Sequence, residues 1–141
     1  MSESAVHRKL VAALVEDISR QPWDCEPFLY ADSNGSALPP LIGQARPDVH
    51  AHFSLQDRAI VGEAKTSRDL EAFHTTDQFA AYFDHLGSKA AGELWLAVPW
   101  LSAGAAIRIC TATKARMGSS VPFKVSAWLL GEKNLSRAWY G

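Results

Sequence analysis

The stretch RPDVHAHFSLQDRAIVGEAKTS, residues 46–67, carries two acids and an amine, Asp48, Glu63 and Lys65, among apolar residues of strand type. Glu63 and Lys65 share one face of a strand because side chains alternate with period two. If the stretch folds as a hairpin turning at Leu55 and Gln56, Asp48 stands directly across from Glu63. A register displaced to the next even pairing puts Asp48 across from Lys65 instead. Either register gathers the acids and the amine at the open end of the hairpin, whereas a one-residue slip scatters them. Two carboxylates held close repel unless something neutralises them, and a hard divalent cation such as Mg²⁺ prefers such oxygen ligands. A cation held there can lower the pKa of a bound water and steady an oxyanion on phosphorus. A neighbouring ammonium can orient the water and offset phosphate charge. The chemistry this set suits is metal-assisted hydrolysis of a phosphodiester. The plainer alternative is a solvated strand face on which Glu63 and Lys65 form a surface pair of little energetic worth.

The elements that must position these groups follow from periodicity. Residues 3–20 predict an amphipathic helix: Val6, Leu10, Ala13, Leu14 and Ile18 recur at helical spacing, Ser2 or Ser4 offers a cap, and Pro22 lies beyond the end. CEPFLYAD predicts a short strand and SNGSALPPLIGQ a loop. DVHAHFSL alternates, with Val49, Ala51, Phe53 and Leu55 on one face and Asp48, His50, His52 and Ser54 on the other. His50 and His52 read as histidines of a solvated strand face. RAIVGEAKT is the next strand. TTDQFAAYFDHLGSKA changes to helical period, with Thr75 and Gln78 spaced as a capping box and Gly87 as the C-cap. ELWLAVPW is apolar enough for a strand buried on both faces. SAGAAIRICTATKARMG predicts a helix and PFKVSAWLLG a last strand. The expectation is an α/β fold with a mixed β-sheet flanked by helices, ordered α-β-β-β-α-β and then a further helix and strand, in a single domain over residues 1–141.

Composition narrows the classes. With 48% hydrophobic and 21% charged residues, the chain has the balance of a globular domain. The formal net charge of −1 means that any nucleic-acid contact must rest on a local basic patch. Cys25 and Cys110 are far apart, with no histidine at zinc-ligand spacing. Charges interrupt the N-terminal region, and no segment approaches the roughly 20 apolar residues of a membrane span, so a cytoplasmic protein without a membrane partner is expected.

Pro47–Asp48, followed across a hairpin by Glu63–Ala64–Lys65 and then by a helix, resembles the signature of the PD-(D/E)xK nuclease superfamily. That superfamily includes restriction endonucleases, Holliday-junction resolvases and RecB-like exonucleases, and its core order is similar to the one read from residues about 3 to 98 here. The resemblance implies a restriction endonuclease-like core and an endo- or exodeoxyribonuclease that uses Mg²⁺ or Mn²⁺ to hydrolyse DNA. It makes Asp48 and Glu63 metal ligands and Lys65 the residue that positions the nucleophile. Gln78 and Tyr82, one helical turn apart, resemble the Gln-x-x-x-Tyr motif of RecB-like members, in which the glutamine supports the catalytic groups and the tyrosine meets nucleic acid. The family often adds an acid from the first helix. Glu3 and Glu16 are available, His7 falls near the usual position, and Glu16 is the choice made here as a further metal ligand. Arg46, Arg68 and Lys89 are expected to supply the local basic patch for DNA. A homodimer is expected to span two strands, with Trp139–Tyr140 as a contact, and target recognition would come from a partner protein. The alternative is a catalytically inactive nuclease-fold module serving nucleic-acid binding or protein assembly.

Overall fold

The protein was analysed as a computed structural model, which describes residues 4–32 and 37–141. Helix α1 spans Ala5–Ser19, and Ser4 caps it by accepting a hydrogen bond from the His7 N–H at 3.1 Å. The rest of the chain runs β1 (Phe28–Ala31), β2 (Val49–Phe53), β3 (Arg58–Ala64), α2 (Ser67–Glu71), α3 (His74–Gly87), β4 (Ala91–Pro99), a 3-10 turn (Trp100–Ser102), α4 (Ala103–Met117), β5 (Phe123–Leu129) and β6 (Leu135–Tyr140). The strands form one six-stranded mixed sheet in chain order. β1, β2 and β3 pair antiparallel, β3, β4 and β5 parallel, and β5 and β6 antiparallel. Among the described residues, no helix is long and apolar enough to cross a membrane.

The sheet divides two apolar layers. On one face Leu10, Leu14 and Ile18 of α1 pack with Val49, Ala51, Phe53, Ile60, Trp95 and Ala97. On the other, Phe79, Tyr82, Phe83 and Leu86 of α3 pack with Val61, Leu94, Leu96 and Val98, and Ala106 and Cys110 of α4 join them. Each large side chain so buried contributes roughly 1.5–3 kcal/mol, which is what clamps the helices to the sheet. β4 is buried on both faces, as its unbroken apolar run requires.

Three local details depart from the sequence reading. α3 begins at His74 without a side-chain cap, and Thr75 instead donates its hydroxyl to the Asp69 carbonyl at 2.5 Å. The capping box belongs to the short α2, between Thr66 and Asp69. α3 closes with Ser88 rather than Gly87 as its cap, in the ordinary right-handed conformation. The terminal segment forms the sixth strand: Trp139 packs partly against the core while Tyr140 is exposed, so Trp139 is tied to this chain's own sheet.

α3 returns the chain from the C-terminal end of β3 to the start of β4, and the two elements nearly touch at Gly92. A Cβ there would lie 2.5 Å from the Leu86 carbonyl oxygen and 2.9 Å from the Leu86 Cβ. Gly92→Ala should therefore push α3 from the sheet and cost about 1–3 kcal/mol. Thermal unfolding followed by circular dichroism checks this, and an unchanged melting temperature would show that the close approach carries no weight.

Candidate functional site

The β2–β3 register pairs Val49 with Gly62 and Phe53 with Arg58, so the turn is centred on Leu55 and Gln56 and its next step puts Asp48 across from Glu63. This is the first of the two registers read from the sequence. The ladder ends there because Pro47, opposite Ala64, has no N–H to contribute. The N–H groups near the break are met by the acids themselves. Ala64 N–H donates to Asp48 Oδ2 at 2.9 Å, and Asp48 N–H donates to Glu63 Oε2 at 3.3 Å. The Asp48 carbonyl accepts from Asp32 N–H at 2.8 Å, at the end of β1, and Lys65 N–H donates to the Ala97 carbonyl of β4 at 3.0 Å. Neighbouring strands thus fix both sides of the opening.

These groups do not form a solvated surface pair. Asp48, Glu63 and Lys65 are 8%, 4% and 6% exposed. Burial first, and the Asp48 carboxylate second, push the Glu63 carboxyl from 4.5 up to about 8, while Lys65 and the hydrogen bonds from Asp48 and Tyr82 pull the other way. Lys65 Nζ lies 3.9 Å from Glu63 Oε1, an ion pair too long for a good hydrogen bond.

Helix α3 supplies the support. Gln78 Oε1 accepts from Lys65 Nζ at 2.6 Å. Tyr82 OH donates to Glu63 Oε2 at 3.3 Å, and burial together with the charges of Glu63 and Asp48 pushes the phenol pKa far up, so it remains a donor. Tyr82 is fully buried, which corrects the expectation that it meets nucleic acid. Its position in the Phe79–Phe83 stripe turns it toward the sheet, where it orients Glu63.

Helix α1 contributes a residue that was not selected from the sequence. His7 Nε2 lies 3.2 Å from Asp48 Oδ2. The expectation for Glu16 is corrected: its carboxylate points to solvent beside Arg20, at 3.8 Å. His7 precedes Leu10, Leu14 and Ile18 in the buried stripe and so faces the sheet, whereas Glu16 lies off that stripe. A polar residue in register with the apolar stripe was the available signal. Glu3 lies outside the described residues.

Of the basic candidates, Arg46 and Arg68 are exposed at the site's end of the sheet; Arg46 also donates to the Pro39 carbonyl. Lys89 is corrected. It follows the far end of α3, beside the start of β4, and β4 there pairs with Arg58 at the opposite end of β3 from Lys65. His50 is also not a solvated strand histidine. It is buried under α3, and burial, then His85, His52 and Lys89, lower its pKa to about 4.

Among the described residues, no group of at least three His, Cys, Asp or Glu side chains forms a ready cage for a metal ion. Asp48 and Glu63 offer a pair of carboxylates at the end of a sheet, a donor set that fits Mg²⁺, which is commonly held by one or two carboxylates with waters and substrate phosphates completing the octahedron.

The raised Glu63 pKa has a stability consequence in metal-free protein. The folded state holds this proton more tightly than the unfolded chain does. The stabilisation from the protonated acid is complete below pH 4.5 and is lost as pH rises through about 8. Glu63→Gln removes that titration while keeping an acceptor for Tyr82. Its melting temperature in chelator should exceed that of the unmutated protein by a few degrees at alkaline pH, with the gap closing toward pH 4.5. A gap independent of pH would assign the effect to packing.

Compared with family models, with curated proteins and with solved structures, the chain matches none.

Proposed function

We propose that the protein is a divalent-cation-dependent nuclease of the PD-(D/E)xK type that hydrolyses phosphodiester bonds in DNA. The observation that carries this reading is the buried convergence of Asp48, Glu63 and Lys65 at one end of the β2–β3 hairpin. Buried ions cost several kcal/mol each in desolvation, and apolar residues would close a sheet end at lower cost, so a purely structural role is a poor account of the set. The order α1, β1 to β3, helix, β4 supports a restriction endonuclease-like core.

Asp48 and Glu63 would hold Mg²⁺ or Mn²⁺, with His7 Nε2 set 3.2 Å from Asp48 Oδ2. When bound, the cation lowers the pKa of a water and offsets charge on the phosphate. Lys65 has three donor hydrogens, one of them given to Gln78, so the others remain for the attacking water and a phosphate oxygen. Gln78 and Tyr82 position Lys65 and Glu63 rather than touching substrate. Arg46 and Arg68 would meet the backbone of the strand being cut. A second copy of the chain, or a partner protein supplying target recognition, would extend the reach to both strands.

One observation favours the alternative of an inactive nuclease-fold module for nucleic-acid binding or assembly: backbone N–H groups already satisfy both acids without an ion. Plasmid nicking and melting temperature, each with and without Mn²⁺, separate the two readings. Mn²⁺ should stabilise the unmutated protein and support nicking. Asp48→Ala should lose both effects. Lys65→Ala should keep the Mn²⁺-induced rise in melting temperature and lose cleavage by roughly 100-fold or more. If Mn²⁺ raises the melting points of the unmutated protein and Asp48→Ala equally, the acids hold no ion and the nuclease reading fails.

A further inference from the structure

The end of the sheet that carries the candidate site also carries the most exposed large apolar side chains of the described residues. Phe73 is 91% exposed and Leu101 95%, with Trp100 beside it at 39%. Phe73 lies on the segment that follows β3, and Trp100 and Leu101 lie on the turn that follows β4. β3 and β4 are adjacent and parallel, with Ala64 beside Ala97, so both segments leave the end of the sheet where Lys65 stands. A 2.7 Å hydrogen bond between the Ser67 and Ser102 hydroxyls ties the two segments together. Phe73 meets His74 only edge to face, at 6.1 Å and 84° between planes.

Single exposed apolar residues need no explanation, but these three gather at the same end of the sheet as the buried polar site. Continuous duplex DNA offers an aromatic ring no free base face, because its bases are already stacked on one another. Unpaired bases are different, since each offers an apolar face that stacks on an aromatic ring. The chain's net charge of −1 leaves little general attraction for a duplex and puts more of the affinity on such contacts.

Resting on the nuclease reading above, we propose that the substrate strand reaches the site unpaired, as single-stranded DNA or a frayed or overhanging end. Phe73 and Trp100 stack on its bases, and Leu101 acts as an apolar wedge against the next base pair.

The test uses Lys65→Ala protein, which should not cut, in Ca²⁺, with fluorescence anisotropy of labelled oligonucleotides of equal length. A single strand and an overhanging duplex should bind more tightly than a blunt duplex. Adding Phe73→Ala should weaken binding to the first two by roughly 5- to 100-fold with little effect on the blunt duplex, and Phe73→Trp should restore it. Phe73 is almost wholly exposed, so these variants should fold. Equal affinity for blunt and single-stranded DNA, with Mn²⁺-dependent nicking of duplex intact, overturns this inference and leaves the nuclease reading standing. Unchanged affinity in Phe73→Ala also overturns it. Binding to no form of DNA ends both.

Discussion

The site is held by a pair of crossed hydrogen bonds at the point where the β2–β3 ladder stops. Pro47 cannot continue the ladder, and β3 goes on to pair with β4 through Lys65 N–H. The strands end their pairing with backbone groups that still need partners, and the acids provide them, Asp48 to Ala64 N–H and Glu63 to Asp48 N–H. Each carboxylate is thus fixed by the backbone of the opposite strand. Their separation is set by the sheet rather than by flexible side-chain torsions. Removing either acid leaves a buried N–H without its partner, a penalty of about 1–3 kcal/mol, so substitutions here affect stability as well as chemistry.

The crossed pair also explains why two helices, α1 and α3, converge on the β2–β3 end. Two buried carboxylates with one ammonium leave an excess of negative charge, and the fold meets it from both faces. From the α1 face His7 approaches Asp48; from the α3 face Tyr82 donates to Glu63 while Gln78 holds Lys65. Burial first, and the charge of Asp48 second, leave Glu63 holding its proton up to about pH 8. A divalent cation and that proton are alternative answers to the same electrostatic deficit, so the environment that raises the pKa also favours an ion with oxygen ligands.

Much of this was legible because it depends on short-range pattern. Alternation in DVHAHFSL leaves two even registers, either of which gathers the acids and the amine, and the structure adopts the one that turns at Leu55 and Gln56. The helical stripe of α1 and the double-sided burial of β4 follow from periods of 3.6 and two, whereas the place of Gln78 beside Lys65 is what the Gln-x-x-x-Tyr resemblance implies. The errors have a common origin in tertiary direction. Glu16 has the right chemistry for a first-helix ligand, but only the face of α1 decides access, and His7 has that face. The Gln-x-x-x-Tyr resemblance gives Tyr82 a nucleic-acid contact and sequence nearness gives Lys89 one, yet Tyr82 faces the sheet and bonds Glu63, while α3 carries Lys89 to the opposite end of the sheet. β6 escaped notice because a mostly exposed edge strand, LSRAWY, has no buried face to impose alternation.

The weak overall charge of the chain makes the architecture of this sheet edge consequential. A strongly basic nuclease can collect duplex by its field and let geometry select the bond afterward. Here the charged groups are buried, and the Lys65 ammonium gives one hydrogen bond to Gln78 and stands 3.9 Å from Glu63. Arg46 and Arg68 are exposed at the end of the sheet that also carries the exposed Phe73 and Leu101. Long-range attraction must therefore be modest and readily screened by salt, while contacts made by apolar surface persist as ionic strength rises. Discrimination at such an edge would come from which parts of a nucleic acid can present apolar faces, and that is a property of unpaired bases rather than of sequence.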